Sequence, residues 1–249
     1  MKIDERRRQI LAVIQSGGNM RVSQVIECTG FSPATVRRDI AFLQNNGIVT
    51  HSHGYVQYVK PTVVPTEEFS DGVLRIAAAA AELVEPQDTF IMDSGSTTFA
   101  MAYQIAEKTD ITVITNSVPI VSLFSSSENI QTYMTGGFLR AREAALVGED
   151  TVAFINGIHA KKLFLSTTGI RGSEGLTCVT PFQADVKRAF IRAADKVILL
   201  ADASKFKRDG LRVFATFDQI DTIVTDEPIS SGAVRQRLEQ LNVEIIVAK

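Results

Sequence analysis

A short polar segment directly after an apolar run has the composition of a phosphate-binding loop. Residues 90–98 read FIMDSGSTT. The polar residues of this segment are, in order, Asp93, Ser94, Gly95, Ser96, Thr97 and Thr98. Backbone N–H groups and hydroxyls at the start of a helix bind phosphate well, but the same pattern fits a plain turn that caps a helix. The segment therefore belongs to the active site of an enzyme, to the pocket of a sensor, or to an ordinary helix start.

Polar residues also follow several later apolar runs. Together they offer an amide, a hydroxyl, a carboxylate, an ammonium group and flexible glycine backbone. These candidates are Asn116, Gly136, Gly137, Thr168, Asp202 and Lys205. A lysine supplies a point charge for phosphate, and Asp93 and Asp202 are suited to accept hydrogen bonds from sugar hydroxyls. Each residue also has an ordinary role in a turn or on a solvated surface, but their shared position after apolar runs favours one site.

The apolar runs before these residues have the length of strands, and helical stretches separate them. The predicted strands are 89–93, 112–116, 130–135, 162–167, 196–202, 221–226 and 243–248. The predicted helices between them are 74–84, 97–108, 118–127, 150–157, 182–194 and 231–241. This alternation predicts a Rossmann-like α/β domain, with a mostly parallel sheet covered on both faces. Because ligands bind beyond the carboxyl ends of such strands, the polar residues should gather at one rim.

The composition excludes several classes of protein. The chain has 249 residues, of which 45% are hydrophobic, so it can bury a core. No apolar run is long enough to cross a bilayer, and no membrane partner is expected. Two distant cysteines and three histidines predict neither a disulfide scaffold nor a metal site, and no cofactor is expected. The charged N-terminus and the cysteine usage fit a cytoplasmic protein.

The beginning of the chain is basic and has the pattern of a winged helix-turn-helix. Residues 1–60 carry a net charge of +4, which leaves −6 for the remainder of a chain whose total is −2. Helices are predicted at 3–14, 23–29 and 33–46. Gly47 should end the third helix, and a hairpin, or wing, should follow it. A basic segment on an acidic chain predicts a polyanionic partner.

The third predicted helix has an apolar face and a face suited to DNA. Val36, Ile40 and Leu43 fall on one buried stripe, and Ser32 is a good N-cap for this helix. On the other side, small residues let the helix approach a groove, and arginines can reach phosphates or guanine edges. The predicted contacts to double-stranded DNA are Ser32, Ala34, Thr35, Arg37, Arg38 and His53. A merely solvated arginine face is the alternative, but the order of the elements favours DNA binding.

The segment SPATVRRDIAFL at residues 32–43, followed by Gly47 and His53–Gly54, strongly resembles the N-terminal domain of DeoR-type bacterial transcription regulators. The wing differs from the usual pattern of that family, with His51 in the place of an arginine and Tyr55 in the place of a glycine. The remainder of the chain is similar to the effector domain of the same regulators. That domain is related in fold to ribose-5-phosphate isomerase and glucosamine-6-phosphate deaminase.

The resemblance implies roles for individual residues. Gly95, Ser96 and Thr97 look like the phosphate loop of those enzymes, and the segment 201–205 looks like one found in the isomerases. Lys187 stands where the deaminases carry a phosphate-binding lysine. The resemblance therefore implies a sugar-phosphate isomerase-like domain whose ligand is a phosphorylated sugar or a related metabolite.

Chemistry is not expected at this site. The segment GSEGLT at 172–177 is comparable to a catalytic stretch of the isomerases, but no carboxylate stands just after Thr177. Glu174 and Asp185 do not match the family pattern, and His159 is the sole histidine beyond the wing. We therefore predict no catalytic residue. A sugar-phosphate isomerase or deaminase with an accessory DNA-binding unit remains the alternative, and a body that serves only assembly is a third possibility.

Together these features predict three segments and one function. Residues 1–59 should bind DNA, residues 60–72 with Pro61 and Pro65 should be a linker, and residues 73–249 should sense an effector. The predicted protein represses a sugar-metabolism operon, and its operator binding is controlled by a phosphorylated sugar. Helix-turn-helix proteins bind paired half-sites, so a homodimer or homotetramer is expected.

Overall fold

The computed structural model describes residues 3–45, 48–58 and 69–249. The chain divides into two compact units, residues 1–62 and residues 63–249. We call the described residues of the first unit the head and those of the second the body. Gly47 and most of the predicted linker, residues 60–68, lie outside the described residues. Within the described ranges, no helix is both long and apolar enough to cross a membrane.

The head consists of helices packed on a small antiparallel sheet. Its elements are α1 Ile3–Gly17, β1 Asn19–Arg21, α2 Val22–Thr29, α3 Pro33–Asn45, β2 Val49–Ser52 and β3 Tyr55–Tyr58. The predicted wing is confirmed as β2 and β3, joined by His53 and Gly54, whose φ angles of 50° and 79° suit a tight hairpin turn. Strand β1, which pairs with β3, was not predicted from the sequence. Three residues are too short to show a period.

The apolar stripe of α3 closes the core of the head. Val36, Ile40 and Leu43 are buried, as predicted, and pack in one cluster with Ile10 and Ile14 of α1. A charged group also lies in this contact between helices. Asp39 is fully buried, and it accepts hydrogen bonds from Arg6 Nε at 2.6 Å and from Arg7 Nε at 3.1 Å. Two basic residues of α1 therefore hold the third helix in place.

Asp39 should make the head sensitive to acid. Burial alone would raise the pKa of Asp39, but hydrogen bonds from Arg6 and Arg7 and their charges together lower it below its usual value. A lowered carboxyl pKa in the folded state means that stability is present above the unfolded-state pKa of about 4 and is lost below it. We expect the head to lose stability as the pH falls below about 4, measured by circular dichroism. Asp39→Asn should be less stable at neutral pH and should flatten this pH dependence, and an unchanged acid transition would contradict the assignment.

The body is built around a parallel sheet. Its helices are α4 Asp71–Ala81, α5 Ser96–Gln104, α6 Val118–Phe124, α7 Glu149–Asn156, α8 Pro181–Arg192 and α9 Gly232–Gln240. Its first strands are β4 Thr89–Met92, β5 Ile111–Thr115, β6 Ile130–Met134, β7 Phe138–Arg140, β8 Ala145–Val147 and β9 Ala160–Ser166. The remaining strands are β10 Gly169–Arg171, β11 Gly175–Cys178, β12 Ala194–Leu200, β13 Arg212–Ala215, β14 Thr222–Thr225 and β15 Glu244–Val247. Short 3-10 helices lie at Ala203–Lys207 and Phe217–Gln219.

The strands predicted for the body form one sheet, with the order β15-β14-β12-β9-β4-β5-β6. All pairs in it are parallel, so the carboxyl ends of the seven strands lie at one edge. The chain first runs from β4 outward to β6, and it then returns to β9 on the other side of β4. This reversal makes the gap between β4 and β9 the topological switch point, where doubly wound sheets bind ligands. The predicted Rossmann-like fold class is confirmed.

Helices cover both faces of the sheet, and each face has its own core. Helices α4 and α5 pack against residues such as Phe90, Met92 and Phe164. The opposite face, with Ile91 and Leu163, packs against α8 and the strands beyond it. The strands therefore carry apolar side chains on both sides, which explains the continuous apolar runs of the sequence.

Three parts of the body differ from the prediction. Strands β7 and β8 form a hairpin, and β10, β11 and β13 form an antiparallel sheet, where the sequence analysis had turns or no element. Their strands are three or four residues long, and long-range pairing rather than local pattern defines them. Helix α4 begins at Asp71, inside the predicted linker, because Ser70 caps it by accepting from Val73 N.

Candidate functional site

The candidate DNA-binding surface of the head is the outer face of α3. Ala34, Arg37 and Arg38 are exposed on it, and Thr35 is half-buried. Neither arginine makes a hydrogen bond or an ion pair with another residue in the described part of the chain. The Oγ of Ser32 lies 2.8 Å from Thr35 Oγ1, so these two hydroxyls order the start of the helix. Arg37 and Arg38 differ in this respect from Arg6 and Arg7, which donate hydrogen bonds to Asp39.

The wing carries a contact that the sequence analysis did not foresee. Tyr55, which stands where the related pattern has a glycine, accepts a hydrogen bond from Arg21 Nε at 2.9 Å. The guanidinium of Arg21 also lies 5.5 Å from the centre of the Tyr55 ring. The predicted DNA contact His53 is exposed at the tip of the wing. Tyr55 thus positions a cation of β1 beside the wing, although the wing lacks the usual arginine at position 51.

The candidate effector site of the body lies at the switch point. Asp93 follows β4, and its carboxylate is buried to 1% exposure. Its Oδ2 accepts from Ser166 N at 3.0 Å and from Ser166 Oγ at 2.7 Å, both at the end of β9. Lys187 of α8 donates to the same oxygen. The structure therefore brings Asp93 and Lys187 together, which lie 94 residues apart in the chain.

Lys187 is fully occupied within this cluster. Besides Asp93 it contacts Ser166 O at 2.9 Å and Ser166 Oγ at 3.1 Å. An ammonium group has three N–H donors, so Asp93 and Ser166 use all of them. A phosphate contact from Lys187 requires that one of these bonds be exchanged. Its role in phosphate binding therefore stays a prediction, while its pairing with Asp93 is a structural fact.

The segment of residues 93–98 forms a tight turn into α5. Thr98 Oγ1 donates to Asp93 O at 2.7 Å and lies 2.9 Å from Gly95 O, so Thr98 shapes the turn. A Cβ at Gly95 would lie 2.6 Å from Ser166 Oγ, and a side chain is excluded there. No side chain caps the N-terminus of α5, and Ser96 is exposed. The first turn of α5 therefore keeps N–H groups that an anion can use.

The other predicted residues occupy the same rim in separate contacts. Asn116 Nδ2 donates to Leu146 O at 2.9 Å, and the carbonyl of Gly136 accepts from Thr151 Oγ1 at 2.5 Å. Gly137 has a left-handed φ of 116°. Thr168 is half-buried beside β10 and donates its backbone N–H to Thr177 O.

Asp202 and Lys205 lie beyond β12, one strand further along. Their charged groups are 3.8 Å apart. Among the described residues, no hydrogen bond or ion pair joins them to Asp93 or Lys187. They share the rim with the switch-point cluster but are not part of it.

The residues considered for catalysis do not form a catalytic pair. Glu174 and Asp185 are exposed, and Asp185 forms a surface ion pair with Arg188. Thr177 is buried and donates to Gly169 O at 2.8 Å, which places it in the small antiparallel sheet. These contacts give Thr177 a structural role.

Two polar residues at the rim, Ser166 and Thr135, were not among the site residues predicted from the sequence. Ser166 ends the apolar strand β9 and contacts both Asp93 and Lys187. Thr135 follows β6 and is buried. Both stand at the end of an apolar run, which was the rule that found the other candidates, and the rule should have included them.

A helix-turn-helix head and a parallel α/β body with a polar switch point define a DNA-binding transcriptional regulator with a sensor domain. A family model described as the DeoR-like helix-turn-helix domain matches residues 6–62, and one described as the DeoR C terminal sensor domain matches residues 70–227. The chain belongs to the DeoR family. The predicted resemblance is thereby confirmed.

Relatives with assigned names match nearly the whole chain. A putative aga operon transcriptional repressor of Escherichia coli O157:H7 is 30% identical, over 98% of this chain and 93% of its own length. The lactose phosphotransferase system repressor of Streptococcus mutans is 32% identical, over 91% of this chain and 93% of its own length. A solved D-ribose-5-phosphate isomerase in complex with phospho-erythronic acid aligns with 53% of this chain and 52% of its own, with 16% identity and a TM-score of 0.39. That similarity is too low to support an argument.

Proposed function

We propose that this regulator is a repressor of a sugar-metabolism operon and that a phosphorylated sugar bound at the switch point controls its operator binding. The relatives named as aga operon and lactose phosphotransferase system repressors support the sugar class. The observation that supports this location for the phosphate site is that the N-terminus of α5 has no capping side chain and lies beside the buried ion pair of Asp93 and Lys187. The phosphate binds to the first turn of α5, and Ser96 adds its hydroxyl.

The N-termini of three other helices of the body differ from that of α5, whereas α6 and α7 also lack a side-chain cap but follow β5 and β8 rather than β4 at the switch point. The side chains of Ser70, Thr180 and Ser231 cap α4, α8 and α9, each by accepting a backbone N–H of the first turn. A capped helix has fewer free donors for an anion. The N-cap residue of α5 is instead Gly95, which offers backbone only, and the positive end of the helix dipole faces the rim.

Binding without catalysis is part of the proposal. An isomerase or deaminase needs a general base close to the carbonyl end of the sugar. Asp93 is the buried carboxylate at the switch point, and its Oδ2 already accepts from Ser166 and Lys187. Turnover of pentose or hexosamine phosphates by the purified chain would support the alternative, an enzyme with an accessory head.

Effector control requires that the ligand favour one arrangement of the protein over another. We propose that the body forms the contact of a homodimer or homotetramer and that the bound sugar phosphate biases the spacing of the heads on paired half-sites. Sedimentation of the full chain with and without operator DNA measures the number of copies. A body that only assembles would bind DNA without any response to sugar phosphates.

The site is tested by its response to effector. A panel of sugar phosphates is screened for an increase in the melting temperature of the full chain, because a ligand that binds only the folded state stabilises it. Operator duplexes selected from random DNA then report the effect of the active compound. Ser96→Ala should keep operator affinity but weaken the response to effector about 10-fold or more, since hydrogen bonds to charged groups are worth about 1.5–3 kcal/mol.

Ser125→Ala is the matched control for Ser96→Ala. Ser125 is an exposed serine at the end of α6, and its hydroxyl donates to Ser122 O. Helix α6 starts at the rim and is about 10 Å long, so Ser125 at its C-terminus is about that far from the rim. The control should respond to effector like the wild type. An undiminished response in Ser96→Ala would place the phosphate elsewhere.

A further inference from the structure

Three neighbouring strands place a polar residue at the same level of the rim. Met92 pairs with Thr115, and Thr115 pairs with Met134. The next residue of each strand is therefore level with the others: Asp93 after β4, Asn116 after β5 and Thr135 after β6. Side chains at one level of a parallel sheet lie on the same face, about 4.8 Å apart from strand to strand. We call Asp93, Asn116 and Thr135 the polar row.

The amide of Asn116 is only half satisfied. Its Nδ2 donates to Leu146 O at 2.9 Å, but its Oδ1 is buried without a hydrogen-bond partner among the described residues. Turning the amide around would place Oδ1 against the carbonyl oxygen of Leu146, where two acceptors repel each other. The contact with Leu146 O therefore fixes the orientation of the amide, and Oδ1 is the atom that lacks a partner among the described residues.

The hydroxyl of Thr135 is orphaned in the same way. Thr135 is 2% exposed, and its Oγ1 has no partner among the described residues. Its backbone N–H continues the sheet by donating to Thr115 O at 3.0 Å. Buried polar groups without partners cost stability, and in natural proteins they call for an explanation such as a bound molecule. Two of them lie side by side in the polar row.

We propose that Asn116 and Thr135 bind the hydroxyl groups of the effector sugar. This inference rests on the proposed function, and it gives the ligand a direction. With the phosphate at the first turn of α5, next to β4, the carbon chain runs over β5 towards β6. Asn116 Oδ1 accepts from one sugar hydroxyl, and Thr135 Oγ1 exchanges a hydrogen bond with the next. The effector is therefore a polyhydroxylated monophosphate with hydroxyls on the carbons remote from its phosphate.

The hairpin of β7 and β8 is hydrogen-bonded to the polar row at Asn116. Leu146 of β8 binds Asn116 twice, because its carbonyl accepts from the amide and its N–H donates to Asn116 O at 2.8 Å. The hairpin is flanked by Gly137 and Gly148, whose φ angles of 116° and 106° are ones that other residues rarely adopt. The two bonds to Leu146 fix Asn116 against β8 and leave its Oδ1 as the atom without a partner among the described residues.

Thr135→Val is the sharpest test because it removes the hydroxyl and keeps the shape. The full-length variant is measured by calorimetry with inorganic phosphate and with a panel of pentose and hexose phosphates. We expect about a tenfold loss of affinity for the panel member that binds the wild type, as for one lost hydrogen bond, and no loss for inorganic phosphate. Without ligand, Thr135→Val should melt at the same temperature as the wild type or higher, since an unsatisfied buried group is gone. Thr135→Ser, which keeps the hydroxyl, should bind nearly like the wild type.

Thr132→Val is the matched control. Thr132 lies on the same strand β6, and its Oγ1 is also buried without a partner among the described residues. Its position three residues earlier puts it on the opposite face of the sheet. The Thr132→Val variant should bind the sugar phosphate with the same affinity as the wild type. The control therefore separates loss of a threonine hydroxyl in general from loss of the one in the polar row.

The remaining outcomes have distinct meanings. Equal affinity of Thr135→Val and the wild type for the sugar phosphate overturns the assignment of the polar row and leaves the proposed function intact. A marked drop in melting temperature without ligand overturns it as well, because the hydroxyl then binds a structural water. If no sugar phosphate binds the wild type at all, the proposed function itself is overturned, and the polar row as a sugar site is overturned with it.

Discussion

Replacing Arg37 and Arg38 by alanine should reduce operator affinity by a factor of about 30 to more than 10⁴ for each head that contacts the DNA. Both guanidinium groups are exposed on α3, and neither has a partner among the described residues. Each arginine that contacts a base edge is worth roughly 1–3 kcal/mol, so the loss of two removes about 2–6 kcal/mol from each head. Fluorescence anisotropy with a labelled operator duplex measures the change. If one arginine contacts a phosphate instead, the slope of log affinity against log salt should fall by about 1.

The control for this prediction removes the same charge elsewhere. Arg192 and Arg235 are exposed arginines on α8 and α9 of the body. The double variant Arg192→Ala and Arg235→Ala should bind the operator within about twofold of the wild type, because distant surface charges are screened at physiological salt. Thermal unfolding should show that both double variants remain folded. Unchanged affinity after loss of Arg37 and Arg38 would refute α3 as the recognition helix.

Removing the charge of Lys187 should destabilise the body by about 3–5 kcal/mol. Lys187 and Asp93 are both nearly buried, and their ion pair links α8 to the end of β4. Lys187→Met leaves the Asp93 carboxylate inside the protein with hydrogen bonds from Ser166 but no compensating charge. The cost arises because a buried charge without its partner loses hydration and gains little in return. Urea unfolding followed by circular dichroism measures the loss in free energy of unfolding.

Two further variants distinguish a buried ion pair from a general need for lysine. Lys196 pairs with Glu244 on the surface, and Lys196→Met should change stability by less than about 1 kcal/mol. The double variant Asp93→Leu with Lys187→Met removes both charges and should recover part of the lost stability. If the double variant is less stable than Lys187→Met alone, the dominant interaction is not the ion pair.

The ion pair also bears on effector binding. Lys187 can reach a phosphate only by giving up a bond to Asp93 or Ser166, because all three of its donors are in use. A ligand that takes one of these bonds changes how α8 is held to the sheet.

Local patterns in the sequence predicted most of the secondary structure. The stripe of Val36, Ile40 and Leu43 identified α3, and the alternation of apolar runs with helices identified the parallel sheet. These features are encoded within one or two turns of helix or a few residues of strand, so neighbouring residues suffice to reveal them. Six short strands were not predicted, because they are defined by pairing with distant segments: β1, β7, β8, β10, β11 and β13.

The sequence also predicted part of the candidate site, because some of its residues directly follow apolar strands. The rule that ligands bind after parallel strands selected Asp93, Asn116 and Asp202 from the sequence without knowledge of the strand order. It could not separate Asp202 and Lys205, which make their own ion pair, from the cluster at the switch point. It also missed Thr135, although Thr135 follows a strand like the others.

The sequence by itself determined the class of protein: a basic helix-turn-helix segment ahead of an α/β domain with polar residues after its strands. Only the tertiary structure decided which of those residues act together. The strand order sets β9 beside β4, so Ser166 meets Asp93, and the packing of α8 brings Lys187 from 94 residues away to the same carboxylate. The register of β4, β5 and β6 likewise aligns the polar row. Contacts between residues far apart in a chain depend on the order and register of its elements, and no local pattern encodes either.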